Sequence, residues 1–287
     1  MGQVRAGLML WSDDEPRDVS GYGAVFMPWT LYERETEWLE QLRMDEADTK
    51  LILHVPACYS RDDYSGGPHD ILKAELPWLQ HPAEGGGVFN GNDRIFDMRS
   101  PQSNHHLRKA SRGLAKWLSS FPFAPDALFL DCTWDTITWL GCWAPEERSG
   151  VDAEWRMGMA YFLSALRFQV RWQFGMDCDL IGNGMCSHRA LHSLCYEDFP
   201  RTWVGGSDRG LHSMLLGRYG VSWHNGFFGE SCVLLPKNSS PGLPGQSVSE
   251  DDVVKAVAFA RAFCSGSPVV VDNSGVVLDV LREATDD

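Results

Sequence analysis

The segment Asp126-Ala127-Leu128-Phe129-Leu130-Asp131 is a short apolar run bounded by acids and followed at once by Cys132-Thr133-Trp134-Asp135. A continuous apolar run of this length suits a strand buried on both faces, as in a parallel sheet covered by helices. In such folds the functional site is built at the carboxyl ends of the strands. The ending recurs along the chain. Leu51-Ile52-Leu53 runs into His54-Val55-Pro56, Leu180-Ile181 into Gly182-Asn183-Gly184, and Ser193-Leu194-Cys195-Tyr196 into Glu197-Asp198-Phe199. Several strands are therefore expected to deliver polar groups to one rim.

Strands are predicted at 5–11, 23–29, 51–55, 127–131, 179–183, 194–199, 221–224 and 267–272. Helical spacing predicts a helix from Thr30, as its cap, to about residue 44, with Leu31, Trp38, Leu39 and Leu42 on one face. Further helices are predicted at 102–120, 151–174, about 208–218 and 250–264. Residues 58–100 are rich in Gly, Pro, Asp and His, too long for an ordinary connection, and stretches of this kind are usually functional. Within them Asn90-Gly91 signals a hairpin across Val88–Phe96. The alternation predicts an α/β protein: a single-domain (β/α)8 TIM barrel over residues 1–287, with a long insertion between strands three and four. An open doubly wound sheet would need a glycine-rich phosphate loop after its first strand, and Trp11-Ser12-Asp13-Asp14-Glu15 has the wrong chemistry for one.

At 287 residues, 44% hydrophobic and 22% charged, the chain has the composition of an ordinary globular protein. Its net charge of −14 and the absence of a dense Lys/Arg window argue against nucleic acid and anionic membrane surfaces as partners. The apolar stretches are too short to span a bilayer. The first residues also lack the apolar core of a secretion signal, so a location that is cytoplasmic, or reached without a classical secretion signal, is expected. The eight cysteines never form a C-x-x-C pair and are expected to be reduced.

Other chemistries find less in the sequence. His188 and His192 have the i, i+4 spacing of a helical ligand pair, but Arg189 stands where a zinc protease carries Glu. His105-His106 at a helix start diverge and do not share one ion. No Gly-x-Ser-x-Gly elbow is present, and neither Gly85-Gly86-Gly87 nor Gly205-Gly206 leads into a Lys-Ser/Thr pair. No cofactor or metal is required. Asp131 and Glu197, on the fourth and sixth strands, provide two carboxylates for one face of a barrel, which is what glycosidic hydrolysis needs. The plain alternative has Asp131 capping the next helix or binding loop amides.

The residues Arg94-Ile95-Phe96-Asp97-Met98-Arg99-Ser100-Pro101, the run ending at Asp131, Leu180-Ile181-Gly182-Asn183-Gly184 and Tyr196-Glu197-Asp198-Phe199 resemble the TIM-barrel glycoside hydrolases of the α-amylase and α-galactosidase superfamily, including the polygalactosaminidase-like group. The resemblance covers about residues 45–272 through short, degenerate motifs. It implies an α-linked glycosidic substrate cleaved with retention, Asp131 as nucleophile and Glu197 as general acid/base, with Asp97 and Arg99 approaching the site. The Trp- and Cys-rich sequence after Asp131 departs from the pattern. With 12 Trp against 7 Tyr, indole platforms for sugar rings are expected at Trp11, Trp29, Trp134 and Trp223. His54, Asn183 and His224 are expected to contact sugar hydroxyls, and Asp135, Tyr196 and Asp272 complete the expected substrate contacts of an oligo- or polysaccharide. The rivals are a non-catalytic carbohydrate-binding or structural barrel, and a metal-dependent hydrolase using the His and Asp residues of 58–106.

Overall fold

A computed structural model describes residues 3–10, 14–99, 104–183, 188–199, 233–236, 250–263, 268–272 and 275–286. The protein is α/β and divides into two compact units: Met1–His54, Pro125–Phe129 and His192–Asp287 in one, Val55–Ala124 and Leu130–Leu191 in the other.

The first unit is built on six parallel strands in a curled sheet. In chain order they are β1 (Arg5–Met9), β2 (Ala24–Pro28), β3 (Lys50–Pro56), β9 (Ser193–Phe199), β10 (Val233–Pro236) and β11 (Val269–Asp272). Across the sheet the order is β3-β2-β1-β11-β10-β9, every pair parallel. All five residues of β2 and all four of β11 are buried, as continuous apolar runs in a covered parallel sheet should be. Gly7 is needed for close packing: a Cβ there would lie 2.7 Å from both Val269 Cγ1 and Val271 Cγ2. The opening residues of β7 (Ala127–Asp131) lie beside β3, where the Asp126 backbone N donates to Leu51 O at 2.9 Å. There Phe129 meets Phe26 edge-on at 5.7 Å and the His54 ring at 5.3 Å.

The second unit holds β4 (Tyr59–Ser60), α3 (Gly67–Glu75), β5 (Phe89–Asn90), β6 (Asp93–Ile95), α4 (Asn104–Leu118), α5 (Arg148–Phe168) and β8 (Asp179–Asn183). The stretch read from sequence as a long connection thus contains a helix and an antiparallel sheet ordered β4-β6-β5. Its hairpin turns through Gly91-Asn92, one residue past the start of the Asn90-Gly91 signal, with Gly91 at φ 59°. Helix α4 packs against α3 and α5, burying Leu107, Leu114 and Leu118 along one face.

Two expectations change, and a third falls outside the described residues. The helix from Thr30 to 44 is two helices, α1 (Trp29–Arg34) and α2 (Thr36–Asp45), broken at Glu35 (φ −104°, ψ 44°), and Pro28 rather than Thr30 holds the cap position. The break lets Leu31 and Tyr32 of one helix and Leu39 and Leu42 of the next be buried, while Trp38 is only half-buried. The helix predicted over 151–174 begins at Arg148 and finishes in a π turn, Gln169–Gln173. The strand between β9 and β11 is Val233–Pro236, and the strand predicted at 221–224 lies outside the described residues. Val233-Leu234-Leu235 is an uninterrupted apolar run, as a strand between two parallel neighbours should be. Among the described residues no helix is long and apolar enough to cross a membrane.

Candidate functional site

An aspartate precedes strand β7 and another ends it, and the two have different surroundings. Asp126 at the amino end accepts the Leu51 amide at 2.8 Å and pairs with Arg43 at 2.8 Å, tying β7 to β3 and α2. Asp131 at the carboxyl end is half-buried and accepts from two side chains. Tyr59 OH donates to Oδ2 and Asn183 Nδ2 donates to Oδ1, each at 2.8 Å.

The backbone assembles these three residues. Ala57 N donates to Asp131 O at 2.9 Å, which brings the segment after β3, with Cys58 and Tyr59, alongside the end of β7. Thr133 donates to Asn183 O through its backbone N at 2.9 Å and its hydroxyl at 3.0 Å, so the end of β8 is held while its side chain reaches Asp131. Between them Cys132 adopts φ 63°, the one positive φ at a non-glycine among the described residues. A left-handed conformation at such a residue costs on the order of 1–2 kcal/mol and persists where its surroundings impose it. The Cys58 thiol supplies one constraint, donating to Cys132 O at 3.0 Å.

Electrostatics fix which groups carry protons. Burial, then the negative charge of Asp131, push the Tyr59 phenol well above its usual range. Burial first and Asp131 second do the same to the Cys58 thiol. Both remain protonated donors at neutral pH. Cys58, Cys132, Cys142, Cys178 and Cys195 are free thiols.

Beyond Asp131 the loop turns inward. Asp135, 4% exposed, lies 3.1 Å from His188 Nε2, itself 4% exposed. Burial lowers the proton affinity of His188, helped by Arg156 and opposed by Asp135 and a backbone hydrogen bond with Trp134. The Trp134 carbonyl also accepts from the buried Trp155 indole at 3.0 Å. The Trp134 ring meets Trp139 edge-on at 5.0 Å, and Trp139 is largely exposed. The sequence reading reached Trp134 and Asp135 but missed Tyr59, Trp139 and the partnership with His188. Tyr59 lay inside the long connection already singled out for function, yet nothing local linked it to Asp131.

The remaining expected site residues separate into groups. Asp97 and Arg99 take each other as partners: Arg99 Nε donates to Oδ1 at 2.9 Å and its terminal nitrogen to Oδ2 at 2.6 Å. Asp272 is fully buried, and its carboxylate accepts the amides of Gly275 and Val277 at 3.2 Å, at the start of the helix Val276–Asp286. That is a capping role. His54 and Trp29 are half-buried in the first unit. Glu197 and Tyr196 belong to β9, which continues to Phe199, and their side chains fall outside the described residues. Trp11, Trp223 and His224 lie outside them altogether. The segment from His188 to His192 is not helical, so the i, i+4 pairing has no helix to align it. Among the described residues no group of three or more His, Cys, Asp or Glu is placed to hold a metal ion. A cavity of about 410 Å3 opens by the amino ends of β1 and β2, lined in part by Arg5, Tyr22, Glu46, Thr49 and Arg282, none of which the sequence nominated.

No family model matches the chain, and no curated protein does. Solved structures with a similar chain path include Ega3 of Aspergillus fumigatus, in complex with galactosamine, at 9% identity and TM-score 0.49, over 95% of this chain and 93% of that one. The α-galactosidase TtGalA of Thermus thermophilus is 13% identical with TM-score 0.49, over 100% and 61%. The chitinase ICChI of Ipomoea carnea is 11% identical with TM-score 0.48, over 97% and 99%. Likenesses at this level assign no residue a role.

Proposed function

We propose that the protein is a glycoside hydrolase built as a single-domain (β/α)8 barrel, cleaving an α-linked oligo- or polysaccharide with retention. The observation that carries the proposal is the Asp131 carboxylate at the end of β7, held on both oxygens by Tyr59 and Asn183. Two neutral donors orient a carboxylate without neutralising it, which suits an attacking group. In the first step an Asp131 oxygen bonds to the anomeric carbon as the glycosidic C–O bond breaks, and Glu197 gives its proton to the departing oxygen. In the second, water attacks the anomeric carbon, its proton passes to Glu197, and Asp131 leaves as the carboxylate. Trp134 and Trp139 supply aromatic faces for a sugar close to Asp131 in sequence.

The test is hydrolysis of a panel of nitrophenyl α-glycosides and α-linked oligosaccharides, with the anomer of the first product followed by NMR. Retention is expected. Asp131→Gly should be inactive in water, and with added azide it should yield the glycosyl azide of inverted configuration, because a small anion replaces the missing nucleophile in one displacement. Glu197→Gln should keep far more activity on nitrophenyl substrates than on natural ones, since a nitrophenolate departs with little help from an acid. If the wild type binds an oligosaccharide without cleaving any member of the panel, the non-catalytic barrel replaces this reading.

A further inference from the structure

The outer face of α5 and the π turn after it carries Met157, Tyr161, Phe168 and Trp172, which are 57%, 38%, 55% and 74% exposed. The opposite face of α5 is the packed one, burying Trp155, Met159, Phe162, Leu163 and Leu166. The four exposed side chains recur at intervals of four, seven and four residues, so they form one stripe. The i→i+5 turn over Gln169–Gln173 has a longer repeat than an α-helix and keeps Trp172 in line with Phe168. Trp, Tyr, Met and Phe are the residue types enriched in the buried cores of protein interfaces.

The spacing reads the same in both directions. We propose that this stripe is the interface of a homodimer in which two copies of α5 pack antiparallel about a two-fold axis. Met157 then faces Trp172 of the second copy and Tyr161 faces Phe168, giving two sulfur–aromatic and two aromatic–aromatic contacts by symmetry. The axis passes between Ser164 and Ala165, both small, so the two backbones can approach closely where they cross. Charge agrees with the antiparallel sense. Glu154 stands one turn before the stripe, while Arg167 and Arg171 stand at its far end, Arg171 with its guanidinium 5.9 Å from the Trp172 ring. Arg148 and Arg156 balance Asp152 and Glu154 at the amino end. Antiparallel pairing therefore sets a neutral end against the basic one and keeps Arg171 of the two copies apart, whereas parallel pairing would set Arg171 beside Arg171. The stripe is about 22 Å long and one helix face wide, less than the roughly 800 Å2 per partner of a standard interface, so the association is reversible and dissociates on dilution.

The inference is independent of the proposed chemistry. It is tested by sedimentation velocity on the full chain over roughly a hundredfold dilution, where the mass should fall from two chains to one. Trp172→Asp and Tyr161→Asp should each raise the midpoint concentration by about tenfold or more while leaving circular dichroism unchanged, because both side chains are solvent-facing in the single chain. Ser164→Cys should form a reductant-sensitive dimer under mild oxidation, with the wild type as the control for native thiols. A one-chain mass throughout the series overturns the proposal, as does a two-chain mass that neither Asp variant weakens. A dimer that Ser164→Cys fails to trap overturns the antiparallel register. Retention of a one-chain wild type on a polysaccharide matrix, lost in Trp172→Asp, would make the stripe a sugar platform instead and also overturn it.

Discussion

The Tyr59 phenol donates a 2.8 Å hydrogen bond to Asp131 Oδ2 from a position 72 residues earlier in the chain. With Asn183 on the other oxygen, the carboxylate has a defined orientation at the end of its strand. Tyr59→Phe removes one of the two donors and little volume. It should lower kcat by roughly 10- to 100-fold through misplacement of the carboxylate and cost about 1 kcal/mol of stability. Steady-state kinetics and a thermal melt check both. Because burial and Asp131 hold the Tyr59 proton, the wild-type rate profile should show no loss from this phenol as pH rises through the ordinary tyrosine range near ~10.

The two aspartates of the β7 run should respond oppositely to the same change. Asp126→Asn weakens the link to Arg43 and the Leu51 amide and should cost about 1 kcal/mol with turnover nearly intact. Asp131→Asn should leave the unfolding midpoint within error and abolish turnover, since its amide is a far poorer nucleophile. Urea titrations beside activity assays separate the pair, and loss of turnover in Asp126→Asn alone would reverse the assignment.

His188 makes stability depend on pH. Its proton affinity in the folded protein lies below that of an ordinary histidine, near ~6.5, because burial outweighs the pull of Asp135. The unfolded chain therefore takes up the proton first as pH falls. The stabilisation is fully present above the unfolded value and is lost as pH drops through it toward the folded one. His188→Asn should show a shallower decline in urea midpoint between about pH 7 and pH 5 than the wild type. Parallel curves for the two proteins would remove His188 from the account.

Cys132 offers a test of backbone strain. Glycine adopts φ 63° freely, so Cys132→Gly should unfold at the wild-type temperature or above it, relief of strain offsetting the greater entropy of the unfolded glycine. Cys132→Val should lose more than about 1 kcal/mol, because a β-branched side chain is poorly tolerated there. Equal midpoints for the two variants would mean that the conformation stores no strain.

Much of the local architecture was legible in the chain. The strands 127–131 and 179–183 were predicted to the residue, because an apolar run that starts and stops abruptly carries its own boundaries. The hairpin within Val88–Phe96 and the helix α4 were read from turn chemistry and period. A boundary failed where burial overrode period: Glu35 breaks a helix whose spacing looked continuous.

The sequence by itself determined that an acid would close the strand 127–131, since the residues that make the strand also end it. It did not foresee that Tyr59 and Asn183 would meet on one carboxylate and His188 on Asp135. Those pairings join residues 52 to 72 positions apart in the first case and 53 in the second, so they exist only after neighbouring segments have come together. Local pattern encodes which elements form, because side-chain period and turn chemistry act within a few residues. Which polar group faces which depends on long-range packing, and tertiary structure alone decided it.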